Sequence, residues 1–295
     1  MLPIAEQLVQ GRLVCPRTRK TLRCQADQLV TPDGEMTYPV PGGVPILLAD
    51  PSRLERYRQE QGGAMHAEYL APPTAGAFRR WANRLLRDGP VPRSEGAERA
   101  FAAVVAERGP GDLVLSIGGG PGRPHPALVN LNVDLFPGVD VVGDAYELPY
   151  ADGSVDAIHC EAVLEHLERP DLAVAEMVRV LRPGGEAFAA TPFLQAFHAY
   201  PNHFQNFTSE GHRRLFARAG FEVLAAGACV GPTFALTDLA ALYLRSYLPT
   251  RTLSRLGWAA ALLMARLLRP LDRRLLRDPE AHVLASLVYA HLRKP

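Results

Sequence analysis

The 295-residue sequence has few cysteines, little net charge and no long apolar run. Its cysteines follow no framework spacing, which excludes a disulfide scaffold and favours free thiols in a reducing, cytoplasmic setting; they are Cys15, Cys24, Cys160 and Cys229. The N-terminus lacks the basic segment and apolar core of a secretory signal, so we expect no such leader. The longest nearly uncharged apolar run, residues 256–265, is too short to span a bilayer.

The sequence also has no excess of positive or negative charge, since its formal net charge is +1. The chain therefore has no overall field that would gather nucleic acid, and only a local basic patch would do so. A hydrophobic content of 47% and a charged content of 21% are ordinary for a globular protein. With no internal repeat, this length suits one large domain with an appendage, or two domains.

Changes in composition divide the chain into three predicted parts. Residues 1–50 are short apolar pieces broken by turns at residues 32–34 and 41–43, which predicts a small β-rich module. Residues 51–108 hold charged, helix-forming stretches and are predicted to be a helical linker or lid. Residues 109–295 alternate strand-like and helix-like segments, which predicts an α/β domain with a parallel sheet. A helical insertion is expected at about residues 231–280.

Seven strand-like segments are present in this third part. A helical pattern separates the fourth from the fifth and ends in Pro183-Gly184-Gly185, a strong stop signal. The segments are residues 113–117, 129–136, 139–145, 154–160, 185–191, 221–230 and 281–294.

A glycine turn follows the first of these strands, at residues 118–122, and reads Gly-Gly-Gly-Pro-Gly. A phosphate-binding P-loop would need Gly-Lys-Ser/Thr, which is absent. The dinucleotide fingerprint would need a third glycine where Arg123 stands. A bare glycine turn after a strand remains, and many α/β turns would match it.

Two acids strengthen the interpretation of this turn as a ligand site. Asp134 ends the second strand, where its carboxylate could accept hydrogen bonds from both ribose hydroxyls. Asp144 ends the third strand, where it could accept from an exocyclic adenine amine. The alternative is that both are ordinary loop acids. Together with the glycines they favour a nucleoside without phosphate.

Four segments resemble class I S-adenosylmethionine-dependent methyltransferases of the small-molecule branch: "VLSIGGGPG", "NVDLF", "GDAYELPYADGSVDAIHCEAVLEHLERP" and "EMVRVLRPGGEAFAATPF". The resemblance covers about residues 111–223. It implies a Rossmann-like, mostly parallel seven-stranded sheet whose last strand is antiparallel, and S-adenosyl-L-methionine as cofactor. The cofactor-binding residues it implies are Ser116, Gly118, Gly120, Gly122, Asp134, Asp144, Ala145 and Cys160, with Cys160 as a small apolar neighbour of the cofactor.

The sequence departs from the family pattern at two places. Ser116 stands where the family usually has an acid that helps to hold the methionine amine. A serine can donate or accept a hydrogen bond, but it cannot neutralise an ammonium group. The first crossover, residues 123–131, is short and holds two prolines, so we expect an irregular loop instead of a full helix.

Methyl transfer requires alignment of the acceptor, and a base only where the acceptor must lose a proton. We predict His198 as that base; the alternative is that it caps a turn or shapes a lid. For His166, a packing or capping role is the first interpretation. No metal site is predicted, because the histidines show no nearby carboxylate partner. The predicted substrate and lid residues are Glu161, His166, Tyr200, His203 and Phe207.

Residues 1–50 resemble the zinc-ribbon-like domain that activates some methyltransferases, through Cys15-Pro16, Tyr38-Pro39 and residues 43–48. The ligand cysteines of that family do not carry over, since Thr18 stands where the second cysteine belongs. We therefore expect a degenerate, metal-free module that packs on the catalytic domain.

The helical segment near the C-terminus combines apolar residues with arginines. It is predicted to form a helical cap over the active site; the alternative is peripheral contact with an anionic membrane. Its arginines are Arg255, Arg266, Arg269, Arg273, Arg274 and Arg277.

The sequence therefore predicts a cytoplasmic S-adenosylmethionine-dependent methyltransferase that acts on a small molecule, such as a natural product, a sugar or a lipid precursor. The alternatives are an RNA methyltransferase and a non-catalytic partner protein with the same fold. We do not expect a nucleic-acid partner, because the charge is balanced and the metal ligands are lost.

Overall fold

The structure is a computed structural model that describes residues 2–60, 91–109, 111–120, 124–198 and 202–295. The helices in these ranges are α1 Ile4–Val9, α2 Ser52–Glu60, α3 Glu95–Phe101, α4 Pro170–Val180, α5 Ser209–Ala219, α6 Pro232–Tyr247 and α7 Arg251–Leu275. The strands are β1 Arg23–Gln25, β2 Gln28–Val30, β3 Thr37–Pro39, β4 Ile46–Leu47, β5 Val114–Ile117, β6 Leu128–Asn132, β7 Val141–Gly143, β8 Val155–Glu161, β9 Leu181–Pro192, β10 Glu222–Val230 and β11 Leu287–Arg293.

The main sheet has the strand order β10-β11-β9-β8-β5-β6-β7-β4. Each neighbouring pair from β9 to β4 is parallel, whereas β11 is antiparallel to both β9 and β10. The seven predicted strands are therefore all present, and the prediction of a parallel-rich α/β sheet with an antiparallel last strand is confirmed. The carboxyl ends of the parallel strands meet at one edge of the sheet, where ligands bind in open α/β folds.

An eighth strand joins this sheet from the N-terminal region. In β4, Ile46 pairs with Val142 and Leu47 pairs with Gly143 in parallel register. The predicted count of seven strands is thus one too low, because a two-residue strand leaves no periodic signal. The remaining strands of residues 1–50 form a separate three-stranded antiparallel sheet. The division of the chain into 1–50, 51–108 and 109–295 stays a prediction.

The central strands are buried on both faces, as the apolar runs of a covered parallel sheet require. One face packs against α4, α5 and the N-terminal region; its contributors include Ala173, Met177, Phe216, Leu13 and Tyr38. The other face packs against α3 and the short helical segment after it; its contributors include Ala97, Val104, Val105, Phe188 and Tyr289. The sheet is thereby held rigid below its ligand-binding edge.

Helix α4 is shorter than its sequence pattern indicates. It begins at Pro170 and ends at Val180, after which Leu181 pairs with Val155 as the start of β9. The chain leaves the helix there because Pro183 cannot continue it. The first crossover has no helix over its described residues 124–127, as expected. The helix-forming stretch at residues 78–88 lies outside the described residues.

Helices α6 and α7 form a hairpin over the predicted insertion at residues 231–280. The buried Asp272 of α7 accepts hydrogen bonds from the first-turn backbone N–H groups of Thr233 and Phe234. Large apolar side chains on both helices are exposed, among them Leu236, Tyr243, Tyr247, Leu256 and Leu267. Of the helices in the described ranges, none has both the length and the apolar character needed to cross a membrane.

Candidate functional site

A cavity of about 580 Å³ lies at the carboxyl ends of β5, β6, β7 and β8. At one end, here called the glycine end, it is lined by Gly118, Gly120, Asp144 and Ala145. At the other it is lined by His166 and His198; with Glu165 beside them, these residues are called the histidine end. None of the described lining residues comes from α6 or α7, so the cap role of that hairpin stays a prediction.

The glycine end depends on backbone conformations that side chains disfavour. Gly118 has φ +69°, and a Cβ there would lie 2.5 Å from Val163 Cγ2. Asn130 supports the turn from below, since its Nδ2 donates to the carbonyls of Gly120 at 2.9 Å and Gly138 at 3.1 Å. Gly118 and Gly120 therefore present bare backbone to the cavity. Gly122 lies outside the described residues.

Both acids predicted to bind a nucleoside are buried and paired with arginines from α2. Asp144 Oδ1 accepts from the backbone N–H of Tyr146 at 2.9 Å, and Arg53 Nε lies 2.6 Å from Oδ2. Burial raises the pKa of Asp144, while the Tyr146 hydrogen bond and the Arg53 charge oppose that rise. Arg58 donates through Nε and Nη2 to Asp134 Oδ1, at 3.1 and 2.8 Å. Helix α2 thus lies against the glycine end.

Two further predicted residues, Ser116 and Glu161, belong to a chain of polar contacts beside the cavity. Ser116 Oγ lies 3.1 Å from His159 Nδ1, and His159 Nε2 lies 3.4 Å from Glu161. Arg93 donates to Glu161 at 2.5 Å, and these neighbours lower the pKa of Glu161 against the effect of burial. Cys160 is buried, which raises the pKa of its thiol. Ser116, Cys160 and Glu161 are not among the described lining residues, so their ligand roles stay predictions.

The histidine end is built by a tight turn after β8. Ala162 has φ +56°, which is uncommon for a residue with a Cβ, and it redirects the chain into the short helical turn Leu164–His166. His166 Nδ1 donates to the carbonyl of Asn202 at 2.5 Å, and His198 Nδ1 donates to that of Ala196 at 2.9 Å. A carbonyl only accepts, so the neutral form of each ring carries its lone pair on Nε2.

Glu165 lies beside these two rings and is fully buried. Its Oε1 is 3.8 Å from His166 Nε2, and neither carboxylate oxygen accepts a hydrogen bond from another described residue. Burial raises the pKa of Glu165 to about 8 and lowers that of His166. The sequence predicts no metal site because it shows no carboxylate paired with the histidines. In the structure, Glu165 lies beside His166 and His198.

The other predicted lid residues hold their segment in place. His203 Nε2 donates to Asn206 Oδ1 at 2.7 Å, and its Nδ1 accepts from the backbone N–H of His198 at 3.2 Å. The backbone N–H of Phe207 donates to Pro192 at 2.9 Å, and its ring packs on the core. Neither is among the described lining residues. Tyr200 lies outside the described residues.

Sequence reasoning missed the arginines of α2 and Asn130. Arg53 and Arg56 line the cavity, but a run of alternating charges is typical of a solvated helix and gives no hint of that position. Asn130 lies within an apolar strand, and a buried amide at such a place is a signal that could have been used. Glu165 offered a similar signal, as an acid directly after the apolar residues 162–164.

Comparison with known proteins finds that residues 115–189 match the family described as "Methyltransferase domain". Malonyl-[acyl-carrier protein] O-methyltransferase of Methylococcus capsulatus is 49% identical over 59 residues, or 19% of this chain and 22% of that protein. Demethylmenaquinone methyltransferase of Renibacterium salmoninarum is 32% identical over 98 residues, or 28% of this chain and 41% of that protein. The chain spans less than half the length of these curated relatives.

A "probable S-adenosylmethionine-dependent methyltransferase" of Mycolicibacterium smegmatis is 37% identical over 95 residues, or 30% of this chain and 37% of that protein. Among solved structures, the 1,6-didemethyltoxoflavin-N1-methyltransferase of Burkholderia thailandensis aligns with a TM-score of 0.45 and 14% identity, over 92% of this chain and 97% of that one. Residues 115–189 are therefore similar to methyltransferase domains, and the curated relatives include S-adenosylmethionine-dependent methyltransferases.

Proposed function

We propose that this protein transfers a methyl group from S-adenosyl-L-methionine to a small-molecule acceptor by in-line displacement. The observation that carries the proposal is the single cavity that joins the glycine end to the histidine end. Donor and acceptor held at its two ends would share one enclosed space, which is what alignment and exclusion of water require. Its volume of about 580 Å³ lies within the range of about 300–1,000 Å³ typical of small-molecule sites.

The residues of the glycine end fit the nucleoside part of the cofactor. Gly118 and Gly120 present bare backbone, and a Cβ at Gly118 would close the space now shared with Val163. Asp144 lines the cavity with a carboxylate that could accept from an adenine amine. Asp134 is not among the described lining residues, but its neighbour Val133 is, and its carboxylate could accept from the ribose. When bound, the cofactor supplies an electrophilic methyl group on a sulfonium. Arg53 and Arg58 would then give up some of their contacts with Asp144 and Asp134, or move away from them.

His198 is the proposed base at the opposite end. Its Nδ1 donates to Ala196, so the lone pair on Nε2 is available to accept a proton from an acceptor hydroxyl or amine. His166 has the same arrangement and would orient the acceptor. The name of one relative, demethylmenaquinone methyltransferase, supports an acceptor of small-molecule class. Natural products, sugars and lipid precursors all remain within that class.

Calorimetric titration with S-adenosyl-L-methionine tests the proposal. We expect binding by the wild-type protein and at least tenfold weaker binding by Asp144→Asn, because a charge-assisted hydrogen bond contributes about 1.5–3 kcal/mol. Glu147→Gln is the matched control, since Glu147 is an exposed carboxylate in the same loop. Its affinity should equal that of the wild type.

Two results would contradict the proposal. Absence of any cofactor uptake would favour the non-catalytic alternative. Binding of cofactor together with salt-dependent retention of RNA would favour the RNA methyltransferase alternative.

A further inference from the structure

We propose that Glu165, His166 and His198 form a site for a divalent first-row transition metal at the histidine end of the cavity. The three side chains each offer one ligand atom, and these atoms all lie within 4.8 Å of one another. The inference deepens the proposed function, because the cation would face the space in which the acceptor is proposed to bind.

The spacing of the three ligand atoms is close to that of a metal site. Metal bonds of about 2.0–2.2 Å to nitrogen and oxygen hold ligand atoms no more than about 4 Å apart. The separation of at most 4.8 Å therefore needs a contraction of at most about an ångström. Small adjustments of the side chains can supply this, because His166 and His198 lie at the cavity wall.

Both histidines are oriented as metal ligands usually are. A ligating imidazole commonly donates its second ring N–H to a carbonyl or carboxylate, which fixes the tautomer and the ring plane. His166 does so to Asn202 and His198 to Ala196, each through Nδ1. The rings stand nearly perpendicular, with centroids 5.2 Å apart, and one nitrogen of each ring lies within 4.8 Å of the other and of a Glu165 oxygen.

Glu165 is the independent observation that points to a cation. Its carboxyl group is fully buried and accepts no hydrogen bond from another described residue. An ionised carboxyl group at such a place is costly unless it is paired or coordinates a metal. Within the described part of the chain no arginine or lysine forms an ion pair with it, in contrast to Asp134 and Asp144. A bound cation would give the Glu165 carboxylate the partner that it lacks among the described residues.

The ligand set indicates which cations fit. Two imidazoles and one carboxylate suit Zn²⁺, Fe²⁺ and related ions and leave coordination positions open. An open position toward the cavity would take an oxygen of the acceptor and lower its pKa, so that its proton could leave to water. In this arrangement His198 acts as a ligand, and the cation replaces it in promoting loss of the proton.

Cobalt titration of the chelator-treated full chain tests the site without any need for activity. We expect one equivalent of Co²⁺ to produce visible d–d absorption bands in the wild type, with Zn²⁺ displacing it. Glu165→Gln and His198→Ala should each weaken Co²⁺ binding at least tenfold. His282→Ala is the control, because His282 is not among the described lining residues of the cavity. This variant should bind Co²⁺ as tightly as the wild type does.

Absence of the bands, or equal binding by the wild type and both ligand variants, would overturn the proposal. Circular dichroism checks folding, and if Glu165→Gln fails to fold, His198→Ala decides, since His198 is in an irregular segment. Titration with S-adenosylhomocysteine is run in parallel. If the wild type does not bind S-adenosylhomocysteine, the proposed function is refuted but the cobalt result is unaffected. Failure of the proposed function and failure of the metal site can therefore be told apart.

Discussion

The two ends of the cavity treat their buried carboxylates differently. At the glycine end, Asp134 and Asp144 are paired with Arg58 and Arg53. At the histidine end, Glu165 is buried as deeply but has no basic partner among the described residues other than His166 at 3.8 Å. An acid that is already paired with an arginine has less hydrogen-bonding capacity left for a ligand, whereas an ionised buried acid without a basic partner is stabilised by a cationic ligand. A ligand at the glycine end therefore competes with the arginines for the acids, whereas a ligand at the histidine end meets no such competitor among the described residues.

His212, a buried ionisable group that is not among the described lining residues, is a second example of a buried group without a charged partner in the described part of the chain. It gives the largest predicted effect, which is on the stability of the fold at low pH. His212 is fully buried between Phe207 and Phe216, and burial lowers its pKa to about 3. Below pH 6.5 the unfolded chain takes up a proton that the folded chain does not, so stability falls as the pH drops toward 3. The slope from this group is at most about 1.4 kcal/mol per pH unit.

Urea unfolding at pH values from 7.5 to 4 measures this slope. His212→Phe keeps an aromatic ring and should flatten the acid limb, while His282→Ala should leave it unchanged. An identical slope in wild type and His212→Phe would mean that His212 is not the group responsible.

The second prediction breaks the glycine end. Gly118→Ala places a Cβ in a left-handed conformation and 2.5 Å from Val163, so we expect a loss of about 2–4 kcal/mol in the free energy of unfolding. Gly120→Ala is the matched control, because its φ is +60° but no atom lies within 4 Å of the added Cβ. It should cost only the conformational strain, about 1–2 kcal/mol. Equal losses in urea unfolding would show that the contact with Val163 is not limiting.

The third prediction tests whether the arginines of α2 compete with the cofactor. Joint replacement of Arg53 and Arg58 by alanine frees Asp144 and Asp134, so affinity for S-adenosylhomocysteine should rise about threefold to tenfold. Arg56→Ala is the control; Arg56 also lines the cavity, but its partners are Asp50 and Ser52. Weaker binding by the double variant in calorimetry would mean that the arginines support the ligand.

Most of the sheet could be predicted from the sequence because its strands are short apolar runs bounded by turn residues. The run that became β5 and the one that became β8 are continuous and buried, and each is followed by a change of composition. Strand β4 could not be found in this way. Its two residues acquire their role only by pairing with β7, almost a hundred residues further along the chain.

The site divides along the same line. Gly118, Asp144 and His198 were identified because each follows a strand or lies in a recognisable segment, and the structure places all three on one cavity. The pairing of Arg58 with Asp134 and the approach of Glu165 to His198 depend on how separate segments pack. No local pattern records such contacts, so they required the folded chain.

The placement of β4 has a practical consequence for anyone who trims this protein. Strand β4 covers the outer edge of β7, the strand that leads directly into Asp144. A fragment starting at residue 109 would expose the N–H and C=O groups of that edge, which invite pairing with another chain. Such a fragment should precipitate at concentrations at which the full chain stays in solution. If it then fails to bind S-adenosyl-L-methionine, the cause would be aggregation through the uncovered β7 edge and not the loss of a residue that contacts the ligand.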